Sequence, residues 1–404
     1  MGGGKKLHPT PSYHLMLQGE VGKATLFVNQ SRLSEDVSRG LSAGCPGPLC
    51  VTIEEYEQVS VSLRRYAQQD SVRVWIGTEY TTLGLYREIP QEKCLEEDYS
   101  PVMITKAVKN SKEQELLRAA HVRDAVAVIR YLVWLEKTVP TGSVDEISGA
   151  HYVDQLRREE LYCHGPSFET ISASGLNAAL AHYSPSNTTS RKLAMDEMYL
   201  LDSGGQYLDG TTDITRTVHW GEPTAFQKEA YTRVLMGNID LSRLVFPPRT
   251  SGFSTAGLET RLKINLPKHW ETQKPSKTLS LSFSLCLSPL FSPEPGYYED
   301  GEFGIRLEDI AVVVEAQTKV VSLVPYARNL IDVSLMSQEQ IQYINSYYES
   351  IRKHISPELQ RRHLDEEYQW LQQNTQPLSH SSLMTASLGT LAMGTLASTL
   401  LPGA

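Results

Sequence analysis

One stretch constrains this chain more than any other: Leu201-Asp-Ser-Gly-Gly-Gln-Tyr-Leu-Asp-Gly-Thr-Thr-Asp-Ile-Thr-Arg-Thr217. Asp202 follows the apolar run Tyr199-Leu200-Leu201, and Asp213 precedes Ile214-Thr215. Apolar and β-branched residues on both sides of a diglycine predict two short strands joined by a Gly-rich turn. Such a hairpin brings two carboxylates from separate strands into one pocket. Two buried carboxylates side by side repel each other unless a cation lies between them. Hard divalent ions suit oxygen-rich sites of this kind. Asp209, beside a glycine, reads as a turn residue.

A second acidic pair follows. Residues 293–314 contain Asp300-Gly301, a hairpin turn signal. Glu294 lies before the turn. Glu308 lies after it, on an apolar strand expected to continue through Ile310 to Val314. A charge inside such a strand is costly unless something pairs with it. Two Asp and two Glu on two hairpins can bridge two metals.

Residues 167–183, 201–217, 294–298 and 304–309 carry a resemblance. Their wording and order resemble the Xaa-Pro aminopeptidases of the pita-bread metallopeptidase family, which also holds prolidase, methionine aminopeptidase and creatinase. Within that group the chain is most similar to the membrane-bound, GPI-anchored branch, from about residue 24 to about residue 375. The resemblance implies an α/β (α+β) chain, with a C-terminal pita-bread domain behind a smaller, partial α/β domain. Metal ligands there run Asp, Asp, His, Glu, Glu. Asp202, Asp213, Glu294 and Glu308 match four of them. His182 matches a histidine that positions substrate and shuttles protons. Arg306 and Tyr298 match residues supporting the glutamate hairpin. Implied cofactors are two divalent ions, zinc or manganese, which make hydroxide available near neutral pH. The hydroxide would attack the first residue's carbonyl in peptides with proline at position two. Glu294 would pass the proton to the leaving nitrogen, and His182 would hydrogen-bond substrate or oxyanion.

The match is interrupted at residues 253–292. The family has a His-Gly-Thr-Gly-His-Gly-Ile-Gly motif there, which supplies the imidazole ligand, and then a Val-His-Glu segment. Neither occurs in this chain. The stretch is rich in Ser, Leu, Lys and Pro and reads like an alternative splice product or translated intron. Leu279 to Leu287 alternates like a strand. His269 is its one histidine, and its neighbours Pro267 and Trp270 do not resemble the family's turn. Several readings therefore stay open: an Xaa-Pro aminopeptidase impaired by the lost segment, an inactive variant that only binds peptides, or a prolidase-like dipeptidase. The intact acidic set argues against a non-enzymatic pita-bread domain.

The remaining chain sets the context. Its 404 residues are enough for two or three domains. A net charge of −9 and no basic stripe argue against nucleic acid. Cys45 and Cys50 either close a small disulfide loop or remain free thiols. The sequons at Asn29 and Asn187 suit a glycoprotein. Residues 1–23 are atypical and show no apolar leader, so the chain reads as truncated. Residues 376–404 resemble a GPI signal, with Ala386 as the attachment candidate, and imply a cell-surface protein. A homo-oligomer is expected.

The expected organisation has an α/β domain at 24–100, a linker at 101–110, the metallopeptidase domain at 111–340 and C-terminal helices at 341–375. Ala24–Asn29 and Val72–Gly77 read as buried strands, and Ile53–Gln69 as an amphipathic helix. Ser111 reads as the N-cap of a long helix, with Gln114 closing the capping box. Helices are expected over Gln338–Ile355 and Glu358–Gln373. His219 reads as structural.

Overall fold

The computed structural model describes residues 14–18, 23–41, 50–245, 277–284, 290–314 and 317–380. The chain divides into two compact units, Met1–Lys106 and Ala107–Ala404.

In the first unit, β1 (His14–Gln18) pairs antiparallel with β2 (Lys23–Phe27), and β2 pairs parallel with β3 (Val51–Glu54). A second parallel pair joins β4 (Val74–Gly77) to β5 (Cys94–Glu97). The helices are α1 (Glu35–Gly40), α2 (Val59–Ala67) and α3 (Leu83–Tyr86). The helix expected from Ile53 is shorter than its pattern. Ile53 sits opposite Leu26 in the β2–β3 ladder, so the β-branched run Val51-Thr52-Ile53 goes to the sheet instead. Only Val59, Leu63 and Ala67, at i, i+4 and i+8, are left to face inward on α2. β4 is buried on one face alone: Ile76 joins Leu63 and Ile89 in a small core, while Trp75 is 51% exposed. A helix, α4 (Pro101–Ala107), occupies most of the stretch read as a linker. Cys50 is disulfide-bonded. Cys45 lies outside the described residues, and Cys94 and Cys163 are free thiols.

The second unit is organised on α5 (Ser111–Thr138). Its N-cap is Asn110, one residue before the position expected. Asn110 accepts from the backbone N–H of Lys112 and Glu113, and Glu113 accepts from the backbone N–H of Asn110. Asparagine caps as well as serine, and glutamate at the third position completes the box that Gln114 was expected to form. Leu117, Ala120, Val128, Leu132 and Leu135 are buried, as their spacing predicts.

Further helices are α6 (Glu146–Arg158), α7 (Ala225–Ser242), α8 (Gln338–Arg361) and α9 (Asp365–Asn374). The expected break near Pro357 does not occur. Ile351, Ile355 and Leu359 are fully buried along one stripe of α8, and their packing offsets the one backbone bond that proline removes.

Strands β6 (Cys163–Pro166), β9 (Gly205–Tyr207) and β10 (Gly210–Thr211) form one small sheet. In another, β8 (Tyr199–Ser203) lies between β7 (Ile171–Ser174) and β11 (Ile214–Val218). The third runs β12 (Lys277–Ser284), β13 (Leu290–Glu299), β15 (Ala311–Val314), β16 (Gln317–Val320), with β14 (Phe303–Arg306) also on β13. As far as Ser284, the alternating segment of the atypical stretch is thus a strand. Its backbone pairs with β13 from Lys277 opposite Glu299 to Ser284 opposite Ser292. One continuous core joins helices α5 to α8 with strands β8, β11, β13 and β14 and residues 323–336. Among the described residues no helix is long and apolar enough to cross a membrane.

Candidate metal centre

The first acidic hairpin forms as its sequence predicts, with an addition. β8 and β11 pair antiparallel, with Asp202 opposite Thr215 and Ser203 opposite Ile214. Asp213 sits immediately before β11. The link between them is not a simple turn: β9 and β10 form a ribbon that also pairs with β6. Gly204 permits this departure, because a Cβ there would lie 2.1 Å from the Thr212 carbonyl oxygen. Asp209 lies in the turn between β9 and β10, as its neighbouring glycine predicts, and also accepts a hydrogen bond from Arg123 at 2.5 Å.

On the second hairpin, β13 carries Glu294 and turns at Asp300-Gly301 into β14. Glu308 does not lie on a continuous strand. It falls in the break between β14 and β15, where its N–H donates to the Thr215 carbonyl at 3.2 Å. Arg216 fixes this break from behind. Its guanidinium donates to the Glu308 carbonyl oxygen at 2.8 Å and pairs with Asp309 at 2.7 Å, and it lies over the Tyr326 ring.

These pieces bring Asp202, Asp213 and Glu308 together. One carboxylate oxygen from each lies within 4.8 Å of the other two. Asp202 and Glu308 are buried, at 7% and 3% exposure. The Oδ1 atoms of Asp202 and Asp213 are buried without a hydrogen-bond partner. Burial, and then the charges of Asp202 and Glu294, push Asp213 up to about 8. Burial and its acidic neighbours hold Glu308 well above the ordinary carboxylate range. Glu294 is half-buried and is pushed up to about 7, mainly by burial. It stands close enough to raise Asp213 and Glu308, but it does not join the tight cluster. Buried all-oxygen donors, mutual repulsion and orphaned oxygens are what a hard divalent cation relieves. The residues fit such ions.

Arg306 and Tyr298 stand beside the cluster. The Arg306 guanidinium donates to Asp202 Oδ2 at 2.6 Å, to the Tyr298 hydroxyl at 2.7 Å and to the Ala181 carbonyl at 3.0 Å. The last bond tethers the backbone next to His182. His182 is exposed and opens onto a hollow of about 540 Å³, lined also by Asn177, Leu180 and Tyr183. The loop carrying it is pinned by the buried Glu146 carboxylate, which accepts from Tyr183 at 2.6 Å and from the Ser174 N–H at 2.7 Å.

Several supporting residues are not among those singled out from the sequence. Thr215 donates to Glu308 Oε2 at 2.9 Å, and Ser292 donates to Oε1. Thr217 donates to the Arg306 carbonyl at 3.0 Å. Asn238 donates to the carbonyls of Pro293 and Leu307, one residue from each glutamate. The signal for the threonines was present: 213, 215 and 217 share one face of a period-2 strand, while Arg216 faces the other way. His219 is buried, and its carbonyl accepts from Asn329 at 2.7 Å. Asn29 and Asn187 are exposed. His269 and Ala386 lie outside the described residues.

A carboxylate centre on two antiparallel hairpins, carried on this α/β scaffold, defines a pita-bread metallopeptidase. Three family models match the chain: the Creatinase/Prolidase N-terminal domain at residues 8–113, metallopeptidase family M24 at 115–257, and the C-terminal region of peptidase M24 at 317–378. The chain belongs to metallopeptidase family M24. Xaa-Pro aminopeptidase 2 of Homo sapiens is 57% identical over 398 residues, covering 93% of this chain and 58% of the relative. That of Sus scrofa is 56% identical over 400 residues, covering 94% and 59%. The chain therefore spans less than two thirds of the length of these relatives. Among solved structures, X-prolyl aminopeptidase of Caenorhabditis elegans, described as a cytosolic enzyme with a di-nuclear active site, superposes with a TM-score of 0.75. It is 28% identical, and the match covers 92% of this chain and 64% of the other.

Proposed function

We propose that this chain carries the chemistry of a metalloaminopeptidase that releases the N-terminal residue from peptides with proline at position two. The observation that carries the reading is the convergence of three carboxylates, two of them with an orphaned buried oxygen. Asp202, Asp213, Glu294 and Glu308 would hold the divalent ions, zinc or manganese. When bound, such ions supply Lewis acidity and make hydroxide available near neutral pH. Glu294, pushed up to about 7, is matched to taking a proton near neutrality and handing it to the leaving nitrogen. His182 would hydrogen-bond the oxyanion from the rim of its hollow. Arg306 holds Asp202 in place, and Tyr298 holds Arg306.

The absent imidazole segment limits this chemistry. Among the described residues no histidine joins the carboxylates. We therefore expect hydrolysis of an Arg-Pro-Pro peptide at least ~1,000-fold slower than by a relative with the His-bearing segment. Replacing residues 253–292 with that segment should restore turnover. Near-normal turnover by the unaltered chain would refute the impairment. No turnover even after the replacement would favour an inactive, peptide-binding variant. A preference for free dipeptides would favour a prolidase-like role. The same reading includes a homo-oligomer at the cell surface, glycosylated at Asn29 and Asn187 and anchored through Ala386.

A further inference from the structure

We propose that the hollow bordered by the end of β11, α5 and α9 is a second binding site, which takes a zwitterion with an apolar side chain: a free amino acid or a dipeptide. The hollow holds about 410 Å³, within the range of small-molecule pockets, and none of the four carboxylates of the metal centre lines it. His219 lies on its wall six residues beyond Asp213, a separation on the order of 20 Å in extended chain. The wall is apolar where Leu132, Val218 and the rings of Trp220 and Trp370 meet. The Trp370 ring is held in place, because its Nε1–H donates to the Glu136 carboxylate at 2.6 Å.

Three polar groups on this wall have hydrogen-bonding capacity to spare. His219 is 5% exposed. Asn329 holds its carbonyl at 2.7 Å, but its ring Nδ1 is buried with no partner. A buried nitrogen in that state gains from any ligand that pairs with it. Glu136, at the exposed rim, accepts from Trp370 with a carboxylate that has about four acceptor sites. Arg328 donates to the Gln376 carbonyl and has five N–H donors to give. Among the described residues neither Glu136 nor Arg328 belongs to an ion pair, although both line the same hollow. One small molecule with an ammonium and a carboxylate answers both charges. A cation alone leaves Arg328 unanswered, and an anion alone meets the charge of Glu136. The apolar wall then receives the side chain.

The test is calorimetric titration of the full chain in EDTA with L-phenylalanine and with L-phenylalanylglycine. Phenethylamine and 3-phenylpropanoate, which each keep one of the two charges, are titrated beside them. For at least one zwitterion a Kd on the order of 1 mM is expected. The tighter of the two names the source. Either single-charge analogue should bind at least ~10-fold more weakly. Glu136→Gln and Arg328→Gln each remove a charge and little volume, and each should weaken the zwitterion by a similar factor. Glu136 is exposed, so its variant keeps the test open if the other fails to fold. Asp213→Asn should leave binding unchanged. Three results would each overturn the inference: no binding of either zwitterion, phenethylamine or 3-phenylpropanoate binding as well as the zwitterions, or loss of binding in Asp213→Asn, which would put the ligand at the acidic cluster. The inference does not depend on the metallopeptidase reading, and its failure would leave that reading intact.

Discussion

The acidic cluster should make the metal-free chain lose stability as pH rises, and bound metal should reverse the trend. In the metal-free fold Asp213 is pushed up to about 8 by burial and by Asp202 and Glu294. In the unfolded chain it titrates at about 3.9. Between these values the folded state binds more protons than the unfolded state, so unfolding free energy falls with pH. The contribution is fully present below about pH 4 and is lost as pH rises through about 8. At about 1.4 kcal/mol per pH unit, the loss is on the order of 5 kcal/mol. Glu308 is raised too, first by its own burial and then by the same repulsion, and acts in the same direction.

The perturbation is Asp213→Asn, and the assay is urea unfolding in EDTA at pH 5, 7 and 9. The unaltered chain should lose several kcal/mol relative to the variant between pH 5 and 9, leaving the variant the more stable at pH 9. With saturating Mn²⁺ the order should invert, because the ion binds only deprotonated carboxylates. Free metal at 1,000 times Kd adds about 4 kcal/mol to the chain that binds it. Parallel pH profiles for the two proteins in EDTA would refute the reasoning, since they would mean that Asp213 is not held against its neighbours' charge.

Asp309→Asn should leave the buried Arg216 guanidinium without its counter-charge. A loss of about 3–5 kcal/mol in denaturant unfolding is expected, and a change under about 1 kcal/mol would show that Tyr347 and the Val324 carbonyl suffice. Gly304→Ala would drive a Cβ to 1.7 Å from the Ala178 carbonyl oxygen, so hydrogen exchange should show the β13–β14 hairpin and the 175–179 turn opening together. Unchanged protection there would mean that the backbone shifts at little cost. A reporter carrying residues 376–404 should be released from cells by phosphatidylinositol-specific phospholipase C, whereas retention or plain secretion would remove the anchor from the reading.

The hairpins that carry the carboxylates were legible because the features that form them are local. Gly-rich turns between β-branched runs specify hairpins, and a charge beside an apolar run has to be neutralised wherever the strand ends up. The core stripe of α5 was legible for the same reason, as helical spacing is written in neighbouring residues. Boundaries were less so. Ile53 joined a strand because β2 lay beside it, and α8 ran through Pro357 because the core rewarded burial of Ile355 and Leu359. Neither outcome is visible without the partner surface.

The site itself was divided in the same way. That Asp202, Asp213 and Glu308 come together was readable from the chain. Tertiary structure alone decided that Asp202, Asp213 and Glu308 each bring an oxygen within 4.8 Å of the other two while Glu294 stands outside this cluster, that Arg306 occupies one oxygen of Asp202, and that Arg216 and Asp309 brace the break carrying Glu308. Those distances arise between residues about 90 or more apart in sequence, where no periodicity reaches and only packing sets the geometry.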